Sequence, residues 1–216
     1  MTPILSTAYL APIAYYALLM HYDKIIIEAN EHYNKQSYRN RTFIGTDQGP
    51  LSLSIPVVKG YEIKSPIREV KLSDHGEWRH QHLYALASNY GNTPFYEYYI
   101  DELRQTICHT YTYLFELNEA LRQQICDLIG IKPNVFYSSE YVNARGNANY
   151  IDLRDSLHPK KDIATVLPSF FPKPYYQVAG TKRAFMPNLS ILDLLFNMGP
   201  ESILVLRDSF SLENNI

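Results

Sequence analysis

Cysteine is scarce in this chain, which has two cysteines among 216 residues. At 25.0 kDa the chain is nevertheless long enough to bury a sizeable core without disulfides or a structural metal. Cys108 and Cys126 both lie in a stretch whose pattern predicts helix, and one continuous helix would separate them by roughly 27 Å. If that helix is continuous, the two thiols cannot form a disulfide bond.

An excess of charge and long apolar runs are also missing. The formal net charge of −2 supplies no general attraction to phosphate backbones or anionic lipid, so we expect no nucleic-acid partner. The longest apolar runs, such as Ile25–Ile27 and Leu194–Phe196, are too short to span a bilayer. No basic leader with a cleavage site precedes Ile4. These features predict a cytoplasmic protein that does not insert into a membrane.

Three motifs with known chemistry are absent. The chain contains neither G-x-x-x-x-G-K-[ST] nor G-x-G-x-x-G, so it offers neither a P-loop nor a classical dinucleotide fingerprint. Ser138 and Ser139 follow a predicted strand, but no G-x-S-x-G elbow surrounds them. The sequence therefore shows no recognisable nucleophile motif, and it leaves the cofactor unknown.

Tyrosine, by contrast, is abundant, with 19 residues against one tryptophan. A tyrosine joins a flat apolar ring to a hydroxyl group, which suits stacking on a sugar or a base. The same properties also suit ordinary half-buried packing, and that interpretation is favoured.

The order of predicted elements indicates an α/β fold. Strands at Ile4–Tyr9 and Asp23–Glu28 flank a helix at Ile13–Met20, an arrangement that favours a parallel sheet. Thr42–Ile44 and Leu51–Ile55 are predicted to form a hairpin. We expect a single three-layer α/β domain over residues 1–216 with a mostly parallel or mixed central sheet.

The remaining pattern predicts further helices and one irregular region. Asp74 and Glu77 resemble an acidic capping box for a helix from about Gly76 to Tyr90. The other predicted elements are a short strand at Pro66–Leu72, one long helical region from Pro94 to Gly130, a strand at Val135–Tyr137, a long binding loop or lid at Asn143–Pro174, and a helix headed by Ser190 and Asp193 as cap residues.

Several segments resemble the WbqC-like protein family. Residues Glu31–Arg41 (EHYNKQSYRNR) and Leu53–Val57 (LSIPV) are similar to the K-x-x-W/Y-x-N-R and L-T-V-P-V signature of that family. Tyr9–Pro12, Trp78 with His82–Tyr90, and Pro187–Asp193 resemble other parts of it, so the resemblance covers nearly the whole chain.

One departure from the family pattern lies after the first strand. Many members have Pro-Trp-x-Gly-Tyr-Phe there, whereas Ala11–Tyr16 lacks both the tryptophan and the glycine. The resemblance implies an association with bacterial surface-polysaccharide or nucleotide-sugar pathways, and it brings no settled activity, cofactor or catalytic residue.

The densest group of basic residues lies inside the family-like run. Lys35, Arg39 and Arg41, with Tyr38 and Asn40 beside them, are candidate residues for binding a phosphate or carboxylate. If Arg39 and Arg41 lie in extended chain, they share one face. The alternative is a basic turn that simply faces water.

Glu28 and Tyr9 end the first two predicted strands, where open α/β sheets bind their ligands. A carboxylate there would pair with Arg39, or position a sugar hydroxyl or Mg²⁺. The alternative for Glu28 is an ordinary carboxylate at the end of a surface strand.

Histidines cluster in one predicted helix, but their spacing does not favour a metal site. His80 and His82 point in different directions on a helix, so they cannot chelate one ion, and no metal is expected. His82 shares a face with Trp78 and Leu86, which suggests a half-buried histidine with one bonded ring nitrogen. It is still the first candidate for acid–base chemistry.

Two hypotheses of function follow. In the first, the protein is an enzyme that transfers an acyl, aminoacyl or similar group on a phosphorylated or nucleotide-linked sugar. Arg39 and Arg41 would hold the phosphate, Glu28 would orient the substrate, and His82 would move a proton, all in one polar cleft. In the second, it is a non-catalytic binding or scaffold protein of polysaccharide assembly, with an exposed tyrosine patch and no buried cluster of charges.

Overall fold

The computed structural model describes residues 1–58, 60, 65–178 and 184–211. Its strands are β1 (Thr2–Ser6), β2 (Ile25–Glu28), β3 (Arg41–Thr46), β4 (Gly49–Ser54), β5 (Val135–Tyr137) and β6 (Tyr150–Asp152). Its α-helices are α1 (Ile13–His21), α2 (Trp78–Tyr90), α3 (Tyr96–Cys108), α4 (Leu114–Ile129), α5 (Ile163–Val166), α6 (Ile191–Met198) and α7 (Ser202–Asp208).

The central sheet has the order β5-β2-β1-β6, and all its neighbouring strands are parallel. Ile4 pairs in register with Ile26, and Ile26 pairs with Phe136. Ile25 and Ile27 point to the opposite face and are fully buried. The α/β class and the mostly parallel sheet predicted from the sequence are therefore confirmed.

The strands β3 and β4 form the predicted antiparallel hairpin beside this sheet. Its turn closes at Gly49, whose φ of 109° requires a residue without a side chain. The backbone amide of Ile55 donates to the carbonyl of Asn40, so the pairing extends just past the two strand ends. The hairpin thereby fixes where the preceding basic run begins and ends.

Helices α1, α6 and α7 pack against one another. Every residue of α1 from Ile13 to Leu19 is buried, and the largest fully buried side chains include Tyr9, Tyr16 and Tyr90. Most of the free energy that favours folding comes from burying such apolar surface. For these three tyrosines, the packing interpretation is the correct one.

The predicted long helix after Pro94 is wrong, because the chain forms two helices, α3 and α4. The backbone leaves helical geometry at His109 and re-enters it after Tyr113, whose amide donates to the carboxylate of Glu116 at 3.1 Å. This side-chain cap starts α4. Cys108 and Cys126 therefore lie in different helices, and both are free thiols.

Other local predictions are corrected in the region before α2. The expected strand at Pro66–Leu72 is instead a 3-10 turn at Ile67–Glu69 with short bridges on either side. Helix α2 begins at Trp78, after a 3-10 turn at His75–Glu77. Asp74 does not cap it, because its carboxylate accepts a hydrogen bond from Arg79 instead.

Two predictions late in the chain also change. The stretch Asn143–Pro174 is not wholly irregular, because it contains the sheet strand β6 and the short helix α5. Ser190 caps α6 as expected, accepting from the amide of Leu192 at 3.3 Å, whereas Asp193 is a fully buried carboxylate rather than a cap. In the part of the chain that the structure describes, no helix is long and apolar enough to cross a membrane.

Candidate functional site

Polar side chains meet at the carboxyl ends of the parallel strands. Ser6 ends β1, Glu28 ends β2, Ser138 follows β5, and Asp152 ends β6. The chain places β2 and β5 on one side of β1 and β6 on the other. The order of strands therefore reverses between β1 and β6, and open α/β sheets bind ligands outside the carboxyl ends of such strands.

A cleft of about 440 Å³ opens at this edge of the sheet. Its polar acceptors are the carboxylates of Glu31, Asp152 and Asp155 and the amides of Asn30 and Asn34. Its other lining residues are His32, Tyr33, Arg39, Tyr141 and Arg154. The cleft thus combines two guanidinium groups with several oxygen acceptors and two aromatic rings.

Arg39 borders the cleft and forms a nearly buried ion pair with Glu31. Its Nε and Nη2 atoms donate to the two carboxylate oxygens of Glu31 at 2.8 and 2.5 Å, and Nη2 also donates to Ser6 Oγ at 2.7 Å. Asp155 lies 3.7 Å from the same nitrogen. Burial raises the pKa of Glu31, and the hydrogen bonds from Arg39 oppose that rise. None of these bonds uses Nη1.

Arg154 is the second guanidinium of the cleft. Its Nε and Nη2 atoms donate to Asp152 at 2.8 and 2.5 Å, and Nη1 donates to Glu28 Oε2 at 3.1 Å. The hydrogen bonds from Arg154 lower the pKa of Asp152. The Tyr141 ring lies over the guanidinium, with its centroid 4.4 Å from Cζ. Arg154 is therefore held on three sides.

Glu28 lies behind the cleft rather than in it. Its carboxylate is fully buried and accepts from Ser138 Oγ at 2.5 Å and from the amides of Asn30 and Val142 at 2.9 and 2.8 Å, besides Arg154. The expectation that Glu28 pairs with Arg39 is wrong, because Glu31 takes Arg39. Glu28 instead anchors Arg154 and the loop that follows β5.

The basic run does not converge on one ligand. Arg39 lies in a turn before β3, and Arg41 in that strand turns its Nε to Ser54 Oγ at 2.8 Å. Asn40 Nδ2 donates to the carbonyl of Ile55 at 2.9 Å. Lys35 is exposed, and Tyr38 is half-buried with its ring against Phe43. The expected common face of Arg39 and Arg41 does not form, because Arg39 is not in extended chain.

His82 belongs to a different, closed cluster. The Tyr9 hydroxyl and His82 Nδ1 are 2.9 Å apart, and both residues pack against Trp78. Burial lowers the pKa of His82 to about 4, and a hydrogen bond with the Ser54 backbone acts in the opposite direction. Neither Tyr9 nor His82 lines the described cleft, so the structure does not bring His82 to Arg39.

A basic rim lies beside Arg39. Lys160 Nζ donates to Gln36 Oε1 at 2.9 Å, which joins the segment after β6 to the turn that carries Lys35. Burial lowers the pKa of His158, and the charges of Lys160, Lys161 and Arg39 lower it further. These basic groups therefore lie close enough to interact electrostatically.

The acidic half of the cleft was not predicted from the sequence. Glu31 lies inside the run that was singled out for its basic residues, and Asp152 and Asp155 lie in the stretch that was expected to be irregular. The signal available was the spacing of Arg154 two residues after Asp152. Within the described residues, no group of three or more histidines, cysteines or acids could hold a metal ion.

Comparison with known proteins agrees with the resemblance. A model of the WbqC-like protein family matches residues 7–165 and 139–205. The chain is 30% identical over 227 aligned positions to "Uncharacterized protein Rv1507c" of Mycobacterium tuberculosis (strain ATCC 25618 / H37Rv), and the match covers 92% of this chain and 94% of that protein. No solved structure matches the chain.

Proposed function

This chain belongs to the WbqC-like protein family, and from that premise we propose that it is a cytoplasmic group transferase of bacterial surface-polysaccharide metabolism. Its substrate is a phosphate-bearing, nucleotide-linked sugar that binds in the cleft. One observation carries this proposal. Arg39 and Arg154, each in an ion pair with a carboxylate, lie beside an open polar cleft at the point where the strand order reverses between β1 and β6.

The cleft lining suits the sugar. Carboxylates accept hydrogen bonds from ring hydroxyls, and amides both accept from them and donate to them. Asn30, Asn34 and Asp155 supply these groups around one opening. The Tyr141 ring is 56% exposed and offers a flat face to a sugar ring. The tyrosine is held in place, since it lies over the guanidinium of Arg154.

The phosphate binds at the Arg39 side of the cleft. Arg39 has one terminal nitrogen outside the bonds to Glu31 and Ser6, and Lys160 is hydrogen-bonded to Gln36 in the turn that precedes Arg39. Charge-assisted hydrogen bonds to phosphate oxygens are stronger than neutral ones. Arg41 has no part in this site, since its side chain is bonded to β4.

In the proposed reaction, a hydroxyl or amino group of the sugar attacks the carbonyl carbon of an acyl thioester. The new oxygen–carbon or nitrogen–carbon bond forms as the carbon–sulfur bond breaks, and the thiolate leaves with the electron pair. His32, an exposed histidine in the cleft, accepts the proton from the sugar and passes it to the thiolate. His32 thus takes the role that the sequence suggested for His82.

A second candidate function is sugar binding without catalysis. It is favoured by one observation: His82 lies outside the cleft, and the guanidiniums of Arg39 and Arg154 are already paired with carboxylates. Against it stands the buried cluster of charges at the cleft, which a simple scaffold does not need.

The test is ligand binding followed by turnover. Wild type, His32→Ala and the control His80→Ala, an exposed histidine on α2, are titrated with sugar 1-phosphates and nucleotide sugars in a thermal-shift assay. A ligand at about 100 times its Kd stabilises the fold by roughly 2.7 kcal/mol, which raises Tm by a few degrees. We expect this shift in all three proteins.

Turnover is then followed by mass spectrometry with acyl thioesters as donors. His32→Ala should transfer the acyl group about 100-fold to 10,000-fold more slowly than wild type, with His80→Ala unaffected. Binding without transfer in wild type would establish the second candidate function. Absence of any ligand-induced shift in wild type would contradict both.

A further inference from the structure

A second concave site lies on the face of the central sheet that carries Ile26 and Phe136. This groove of about 530 Å³ has the side chains of Ile26, Phe136 and Tyr150 along the sheet and those of Tyr141 and Val142 along the loop after β5. Ile26 and Phe136 are register partners, so they point to the same face. The groove therefore has a flat apolar floor on the face opposite Ile25 and Ile27.

The floor of the groove presents aromatic surface to solvent. The side chain of Phe136 is 46% exposed, although a phenylalanine in a sheet is usually covered. Lys24 Nζ lies over its ring, 4.6 Å from the centroid, so an exposed cation covers part of this aromatic surface. A flat ring with a neighbouring hydrogen-bond donor matches what a heterocyclic base needs for stacking and for contact at its edge.

Tyr141 connects this groove to the cleft, because it lines both. Its ring lies over Arg154, and the amide of Val142 beside it donates to Glu28 at 2.8 Å. Tyr141 and Val142 form the wall between the two sites, and their contacts with the buried charges of Arg154 and Glu28 hold this wall in place. A ligand that occupies both sites has to pass over Tyr141, which they share.

The two sites differ in chemistry. Five of the described residues that line the cleft carry a carboxylate or amide side chain, whereas in the groove Glu140 and Asn143 alone do so. A sugar ring requires many such partners for its hydroxyls, and a base requires chiefly a stacking surface. The cleft, rich in carboxylates and amides, suits a sugar, and the groove, where aromatic rings lie beside hydroxyl groups, suits a base.

We propose that the groove binds the nucleobase of the nucleotide-linked sugar whose sugar moiety occupies the cleft. The base stacks on the Phe136 ring, and the exposed Lys24 side chain, which lies over that ring in the free protein, moves aside to contact the edge of the base. This assignment rests on the proposed function, since it takes the ligand to be a nucleotide sugar, and it adds the position of the base.

The experiment measures Kd by calorimetry for nucleoside diphosphates, nucleotide sugars and sugar 1-phosphates. Wild type is compared with Phe136→Ala and with the control Phe171→Ala, which removes a ring that is 50% exposed outside the groove. Loss of base stacking should weaken nucleoside diphosphates and nucleotide sugars about 10-fold to 100-fold in Phe136→Ala. Sugar 1-phosphates should bind all three proteins equally.

Three results would overturn the assignment. If nucleotide sugars bind wild type and Phe136→Ala equally, the base lies elsewhere, and the proposed function stands. If sugar 1-phosphates bind and nucleoside diphosphates do not, the groove does not bind a nucleobase. If Phe136→Ala converts an oligomer into a monomer without changing nucleotide affinity, the aromatic face is a subunit interface.

Discussion

The Arg39–Glu31 pair at the cleft and the Tyr9–His82 pair under α2 are almost equally buried, yet they are built differently. The side chains of Arg39 and Glu31 are 4% and 6% exposed, and Tyr9 and His82 are 0% and 4% exposed as residues. The first pair is charged and borders an open cavity, while the second is neutral and closed. Burying a charged pair rarely adds stability over an apolar pair. The contrast teaches that only the first pair calls for a role beyond packing.

The largest expected effect comes from breaking the charged pair on one side. Arg39→Met leaves the Glu31 carboxylate buried without its partner, which should cost about 3–5 kcal/mol in the free energy of unfolding. The double variant Arg39→Met/Glu31→Leu removes both charges and should recover most of that loss without recovering ligand binding. Urea denaturation measures the stabilities. Equal destabilisation of the single and double variants would show that the loss of stability comes from the changed shape of the site and not from the unpaired charge.

The contribution of the neutral Tyr9–His82 pair to the free energy of unfolding should depend on pH. The pKa of His82 in the folded state is about 4, below its ordinary value of 6.5, because burial disfavours the charged ring. The unfolded chain therefore takes up the proton first on acidification. The contribution of His82 is present in full above pH 6.5 and is lost as the pH falls to 4, by on the order of 3 kcal/mol.

His82→Gln is the matched variant for that measurement. The difference in unfolding free energy between wild type and the variant should narrow between pH 6.5 and pH 4, because the variant has no proton to take up there. Denaturation at a series of pH values measures the difference. A difference that stays constant over this range would mean that the pKa of His82 is the same in the folded and the unfolded state.

The smallest expected effect comes from comparing the stability contributions of the two carboxylates near Arg39. The Asp155 side chain is 75% exposed and lies 3.7 Å from Arg39, so Asp155→Asn should change stability by less than about 0.5 kcal/mol. Glu31→Gln removes a buried partner and should cost about 1–3 kcal/mol. Thermal unfolding of the two variants side by side measures this contrast. Similar losses in both would mean that Asp155 contributes as much as Glu31 to holding Arg39.

Local pattern was sufficient for the elements whose signal comes from nearby residues. The β-branched run Ile25–Ile27, the apolar helix after Pro12 and the hairpin around Gly49 were all predicted, because periodicity and turn chemistry act over a few residues. The strand β6 was missed, since three residues in a polar stretch carry no periodicity. They become a strand only because β1 offers an unpaired edge.

Two residues at or behind the cleft were predictable from the sequence, and their partners were not. Arg39 was identified through the family-like run, and Glu28 through its place at the end of a strand. The partner of each was misassigned, because Glu31 and Arg154 compete for them from positions 8 and 126 residues away. A sequence shows which residues can form ion pairs, and it does not show which pairs will form.

By itself, then, the sequence determined the α/β class, the family and the presence of an arginine in the family-like run, since these depend on local spacing and on motifs that resemble the family's. Tertiary structure decided which charged residues form ion pairs, which histidine is buried and which aromatic ring stays exposed. The physical reason is that ion pairing and burial depend on distances between residues remote in sequence, and the packing of the sheet and its loops sets those distances.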